Sequence, residues 1–124
     1  MSDDDVLDLA ALRRNFDDDM QFVARLMGKF EMRCPAQMKE LGEALARHEP
    51  SEAAELAHRI AGETGVFYAT TARRTALELE EFARAARFAE ADEAYDVLRR
   101  EIERLIAAVH ALPDPSTPGN SAPA

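Results

Sequence analysis

Apolar residues recur at steps of three or four along most of this chain, and that spacing limits the fold more than any other feature. The apolar positions of the longest such segment are Met20, Val23, Met27, Phe30, Cys34, Met38, Leu41 and Leu45. Because an α-helix has about 3.6 residues per turn, this segment is predicted to be one long amphipathic helix. Pro35 has no backbone N–H, so we expect the helix to bend near Arg33 rather than to end there.

Three further helices are predicted after the long one, each with its own start signal. Pro50 suits the first position of a helix that carries His58. Thr70 or Thr71 can cap the following helix through a side-chain oxygen, and the last helix begins between residues 88 and 92. The predicted core positions of these last two helices are Ala72, Ala76, Leu79, Ala83 and Ala86, and then Ala91, Tyr95, Leu98, Ile102, Leu105, Val109 and Leu112.

These segments predict an all-α fold, an antiparallel four-helix bundle with a short additional helix near the N-terminus. The short helix spans residues 6–14, has Leu9 and Leu12 at helical spacing, and is expected to lie across one end of the bundle. No segment alternates with a period of two, as a half-buried strand would. We assign residues 1–112 to the bundle. Residues 113–124, PDPSTPGNSAPA, are rich in proline, serine and glycine, so we predict a disordered C-terminal tail.

Charge and composition exclude several classes of function. The net charge of −9 argues against a nucleic-acid partner, because phosphate neutralisation requires a basic face. Cys34 is the only cysteine, which excludes a disulfide framework and suits a reducing compartment. No run of eighteen apolar residues and no export leader is present. We therefore expect a cytoplasmic protein without a membrane partner.

The stretch LAHRIAGETG, residues 56–65, combines one histidine with two glycines inside a helix. At about 100° per residue, the apolar positions opposite His58 are Leu56, Ile60 and Phe67. The positions on the side of His58 are Ser51, Ala54, Glu55, Gly62 and Gly65. The imidazole is therefore predicted to face solvent. Each helical glycine costs roughly 0.5–1 kcal/mol relative to alanine, so we interpret the pair as clearing space for a partner protein.

The residues alone leave two roles open for His58, an exposed histidine without a function or a nucleophile. A neutral imidazole in solvent presents a lone pair that can carry a phosphoryl group. A core histidine is disfavoured because the apolar face points away. Glu55 and His58 also form the Glu-x-x-His unit of di-iron bundles, but neither His48 nor His110 has a glutamate three positions earlier. We therefore predict no metal and no cofactor.

The motif AHRIAGETGVFYA, followed by LELEEFARA in the next helix, resembles that of histidine phosphotransfer (HPt) domains. His58 matches the phospho-accepting histidine of that family, Ile60 its aliphatic residue and Gly62 its glycine. The other matching positions are Gly65, Ala69, Leu79 and Glu80. The resemblance covers Leu7 to roughly Leu112. Three positions depart from it. Ala61 stands where the family has a lysine, Val66 where a polar residue is common, and Tyr68 where a second glycine is usual.

The resemblance implies a phosphoryl carrier without a kinase site of its own. His58 would exchange a phosphoryl group with aspartates of response-regulator receiver domains in a two-component phosphorelay. A hybrid sensor histidine kinase is a further expected partner, and we expect the carrier to be a monomer. The alternative is a helical-bundle interaction module that binds partners without carrying phosphate, and Ala61 in place of the lysine keeps that alternative open.

A second basic residue is expected to replace the missing lysine. Arg73 or Arg74 of the next helix could approach His58, and a solvated basic pair without a function is an equally open interpretation of these two residues. If the chain folds back near Tyr68, Gly62 lies level with Arg74 and His58 level with Glu78, so Arg74 is the nearest basic candidate on that helix. The complete predicted partner-binding surface around His58 is Ser51, Ala54, Glu55, Arg59, Ala61, Gly62, Gly65 and Arg74.

Overall fold

Residues 6–112, which the computed structural model describes, contain five α-helices and no strand. The helices are α1 (Leu9–Asn15), α2 (Met20–Ala46), α3 (Pro50–Val66), α4 (Thr70–Arg84) and α5 (Phe88–His110). Contacts between α2 and α3, α3 and α4, α4 and α5, and α5 and α2 close the last four helices into a ring. The predicted all-α bundle with a short extra helix is confirmed. The predicted tail, residues 113–124, lies outside the described residues, so the domain boundary stays a prediction.

The bundle core forms where the apolar stripes of the four long helices meet. Its largest fully buried side chains include Phe30, Leu41, Ile60, Leu79, Leu98 and Leu105. α2 begins after Asp19, whose carboxylate accepts the N–H of Phe22, and it continues through Pro35 as expected. α1 covers the connection between α3 and α4, since the N–H of Asp8 donates to the carbonyl oxygen of Tyr68 at 3.0 Å. None of the described helices has the length and hydropathy needed to cross a bilayer.

Three-residue connections join the four long helices, and each contains a non-glycine residue in the left-handed region. These residues are His48 (φ 54°), Tyr68 (φ 54°) and Ala86 (φ 59°). In each case the next residue donates its N–H to the carbonyl oxygen five positions earlier, which closes the helix in a Schellman motif. The left-handed conformation costs an L-residue roughly 1–2 kcal/mol. Tyr68 thus occupies a backbone position that suits the glycine expected there from the resemblance.

Two predictions about α4 are wrong. Ala86 is exposed rather than part of the core, because α4 ends at Arg84 and the chain turns at Ala86 to enter α5. Neither Thr70 nor Thr71 is the N-cap residue. That residue is Ala69, which is buried and has no side-chain oxygen, so Thr70 and Thr71 are the first two residues of the helix instead of its cap.

One carboxyl group is buried where α5 packs against α4. Glu101 is 7% exposed and its Oε1 atom has no hydrogen-bond partner. Burial raises the pKa of Glu101 above its ordinary value, although the Thr75 hydrogen bond and the charges of Arg104 and Arg74 oppose the rise. Glu78 adds to the rise by repulsion.

Candidate functional site

His58 lies near the middle of α3 and faces solvent, as predicted. Its side chain is 71% exposed. The residues predicted on the opposite side, Leu56, Ile60 and Phe67, are all buried. This orientation follows from the helical period, because the apolar stripe of α3 must turn inward and carries His58 outward. A core role for this histidine is thereby excluded.

Some residues of the predicted partner-binding surface are exposed in the structure and others are buried. Its exposed members on α3 are Ser51, Glu55, Arg59 and Gly62, and Gly65 is half-buried. Ala54 and Ala61 are in the core, at 0% and 2% exposure, so their assignment to the surface is wrong. The reason is that α4 packs along one flank of His58, and the small alanine side chains allow that close approach. The position at which the resemblance expects a lysine is consequently buried.

The two glycines of α3 differ in what surrounds them. A Cβ at Gly62 would have no other atom within 4 Å, so packing within the bundle does not require glycine there. A Cβ at Gly65 would lie 3.1 Å from Cδ of Arg73, which reaches over from α4. Gly65 thus accommodates a neighbouring side chain, whereas Gly62 leaves open space one turn from the imidazole.

Glu80 on α4 holds one side of the imidazole ring. Its Oε1 atom lies 3.0 Å from Nδ1 of His58, and the Glu80 side chain is only 14% exposed. An ionised carboxylate can only accept hydrogen bonds, so Nδ1 must carry the proton in this contact. In the neutral ring Nε2 then keeps its lone pair. The contact therefore makes Nε2 the nucleophilic atom.

Arg84 completes the cluster on the other side of the same carboxylate. Its guanidinium NH2 donates to Oε2 of Glu80 at 2.7 Å, one helical turn along α4. Burial by itself would raise the pKa of Glu80, but the hydrogen bonds and charges of Arg84 and His58 outweigh it and hold the pKa below its ordinary value. Glu80 is accordingly ionised at neutral pH and can orient the ring.

An open groove beside this cluster is lined by Glu55, His58, Arg59 and Arg84. The basic residue of α4 that lines this groove is Arg84 rather than the predicted Arg74, and the α4 carboxylate bonded to His58 is Glu80 rather than Glu78. The α4 residues near His58 differ from the predicted ones because only one side of α4 faces α3. That side carries Arg73, Leu77, Glu80 and Arg84, which recur at steps of three and four. This periodicity is the sequence signal that could have identified Glu80 and Arg84.

The other two histidines lie far along the bundle from His58. His48 stacks on Phe88 with ring centroids 4.4 Å apart, and Nε2 of His110 lies 2.6 Å from Oε1 of Glu31. Among residues 6–112, no three histidine, cysteine or acidic side chains come together as ligands for a metal. His58 and Glu55 line the outer groove, whereas a di-iron site requires side chains that project into the bundle.

Comparison with known proteins identifies one family. The family model described as "Hpt domain" matches residues 25–108, which include α3, α4 and most of α2 and α5. No curated protein and no solved structure matches the chain. The match includes His58, Glu80 and Arg84.

Proposed function

The chain belongs to the Hpt domain family, and we propose that it carries a phosphoryl group on Nε2 of His58 between the aspartates of receiver domains. The observation that supports this most directly is the hydrogen bond between Nδ1 of His58 and Glu80, with the ring otherwise in solvent. It orients a nucleophilic nitrogen outward on a rigid helix pair.

The proposed transfer is an in-line displacement at phosphorus. Nε2 of His58 attacks the phosphorus of an aspartyl phosphate, the Nε2–P bond forms, and the bond from phosphorus to the aspartate oxygen breaks with release of a carboxylate. The ring gains positive charge as Nε2 gives up its lone pair. Nδ1 keeps its proton and donates it in the hydrogen bond to Glu80, whose negative charge stabilises the positive ring. The reverse transfer uses the same contacts in the opposite order.

The proposed partners are response-regulator receiver domains, with a hybrid sensor histidine kinase as a further donor. The open space at Gly62 supports a partner that approaches the same face of α3 as His58. The receiver contributes its own aspartate and acidic pocket, so the carrier needs only a nucleophile and charge neutralisation. We propose a cytoplasmic carrier that acts as a monomer and has no kinase activity.

The competing proposal is an interaction module that docks on the same surface without carrying phosphate. It is supported by Ala61, because the lysine that would neutralise the phosphoryl group is replaced by a buried methyl group. The two proposals differ in whether phosphate is found on the chain after a partner has bound.

The test is incubation with a panel of phosphorylated receiver domains, followed by measurement of acid-labile label on this chain. We expect label on the natural chain and none on His58→Gln, with unchanged helicity because the side chain is exposed. His110→Gln is the matched control, since His110 is also exposed and bonded to a glutamate. Label on the His58→Gln variant would refute the assignment. Receiver binding without any label would support the interaction module.

A further inference from the structure

We propose that Arg84 supplies the positive charge for the phosphoryl group on His58, in place of the lysine that this chain lacks. The inference rests on the proposed function and adds a residue to it. Arg84 is the one residue of α4 in the groove that also contains His58. The family position for the cation is occupied by Ala61, whose methyl group is buried between helices. If this chain supplies a cation to the phosphoryl group, that cation comes from another position on this surface.

The position of Arg84 is fixed relative to the imidazole. Glu80 bonds to Nδ1 of His58 at 3.0 Å and to the Arg84 guanidinium at 2.7 Å. Only the width of one carboxylate separates these bonds, so the guanidinium nitrogen cannot be farther than about 8 Å from Nδ1. This is no longer than the Debye length of about 8 Å at physiological ionic strength. The phosphoryl group is carried on Nε2, about 2 Å beyond Nδ1, so the corresponding bound is about 10 Å, comparable to the Debye length, and Arg84 lines the same groove as the ring.

The guanidinium also has donors to spare. It carries five N–H groups, and the bond to Oε2 of Glu80 engages one of them. The Arg84 side chain is 59% exposed, so its remaining donors can turn toward the groove. A planar guanidinium matches two phosphoryl oxygens at once, which an ammonium group does not. Arg84 can therefore bind the phosphoryl group while it remains bonded to Glu80.

Arg59 is the other basic residue in the groove, but its geometry is less suitable. It leaves α3 at about 100° from His58, on the next residue of the same helix. Arg84 instead approaches from α4 and is attached to the carboxylate that orients the ring. The structure therefore favours Arg84 for contact with a phosphoryl group, and Arg59 for contact with the partner around it.

The experiment measures the equilibrium partition of phosphate between one receiver aspartate and His58 at fixed protein concentrations. Arg84→Ala should shift that equilibrium toward the receiver by about fivefold, the size expected for one exposed charge-assisted contact. Arg84→Lys should recover most of the loss. Arg74→Ala is the matched control on the same helix and should leave the partition unchanged. The Arg84→Ala effect should shrink in 1 M salt, because exposed charges are screened.

A double-variant cycle separates direct contact from an effect through Glu80. If Arg84 contacts the phosphoryl group, Arg84→Ala still shifts the partition when Glu80→Gln is already present. If Arg84 acts only by holding Glu80, the second substitution has no effect and the inference is overturned. An Arg84→Ala partition equal to that of the natural chain overturns it as well.

A third measurement keeps the inference distinct from the proposed function. Phosphoramidate phosphorylates imidazole directly, so it loads His58 without a receiver. If no receiver transfers label to the natural chain, although phosphoramidate labels it at His58, the proposed function itself fails. If the natural chain is labelled, but Arg84→Ala and Arg74→Ala have the same rate of phosphohistidine hydrolysis and the same partition of phosphate, only the role of Arg84 fails. A phosphohistidine lifetime about fivefold shorter in Arg84→Ala alone supports it.

Discussion

Replacing Gly62 with leucine should stabilise the fold but slow phosphotransfer. A side chain at this position has no other atom within 4 Å of its Cβ, so it causes no clash inside the bundle. Glycine costs about 0.8–1.0 kcal/mol in a helix relative to alanine and leucine far less, so the free energy of unfolding should rise by about 0.7 kcal/mol. For a domain of this size, the melting temperature should rise by about 2–4 °C.

The same leucine would project into the space through which a receiver approaches the ring. We expect the transfer rate from a phosphorylated receiver to fall at least about tenfold, which corresponds to about 1.4 kcal/mol of lost docking free energy. Loading by phosphoramidate should be unchanged, because that small donor needs no protein surface. Thermal unfolding followed by circular dichroism and transfer followed by acid-labile label measure the two effects separately.

Gly28→Leu is the matched control for this prediction. Gly28 is also exposed within a helix and has no atom within 4 Å of a Cβ position, but it lies on α2. It should give a similar rise in melting temperature with no loss of transfer. A Gly62→Leu variant that accepts phosphate from receivers at the natural rate would show that partners dock elsewhere. Equal losses in both glycine variants would indicate a general effect on the bundle.

Two further predictions concern stability. Burial raises the folded-state pKa of Glu101, so its contribution to stability is present below the unfolded value of about 4.3 and is lost as pH rises through the folded value. Urea unfolding at pH 4 and pH 7 should therefore show that Glu101→Gln gains stability relative to the natural chain as pH rises. The exposed control Glu103→Gln should show no such gain. A stability difference for Glu101→Gln that does not change with pH would contradict the argument. Ala86→Gly should raise the free energy of unfolding by about 0.5–1 kcal/mol, because glycine accepts φ of 59° without the left-handed penalty and Ala86 is exposed. The control Ala85→Gly, one residue earlier at φ −84°, should lower the free energy of unfolding. A loss of stability in Ala86→Gly would show that the methyl group of Ala86 packs against other residues.

The sequence by itself determined the helices and the outward direction of His58. Both follow from the period of 3.6 residues, because a stripe such as Leu56 and Ile60 must turn toward the core and fixes the direction of every other residue on that helix. The open space at Gly62 belongs to the same inference. The left-handed turns could not be predicted from the sequence, since His48 and Ala86 occupy positions at which no glycine marks the helix end.

Only the tertiary structure decided which residues surround the imidazole. The period of α3 shows where each residue points, but not which flank α4 covers, and so Ala54 and Ala61 were placed on the surface although both are buried. It was likewise the rotation of α4 about its own axis that brought Glu80 and Arg84, rather than Arg74, to the His58 side of that helix. Rotation and axial offset between two helices depend on how their side chains interlock, and those contacts join residues that are distant in sequence.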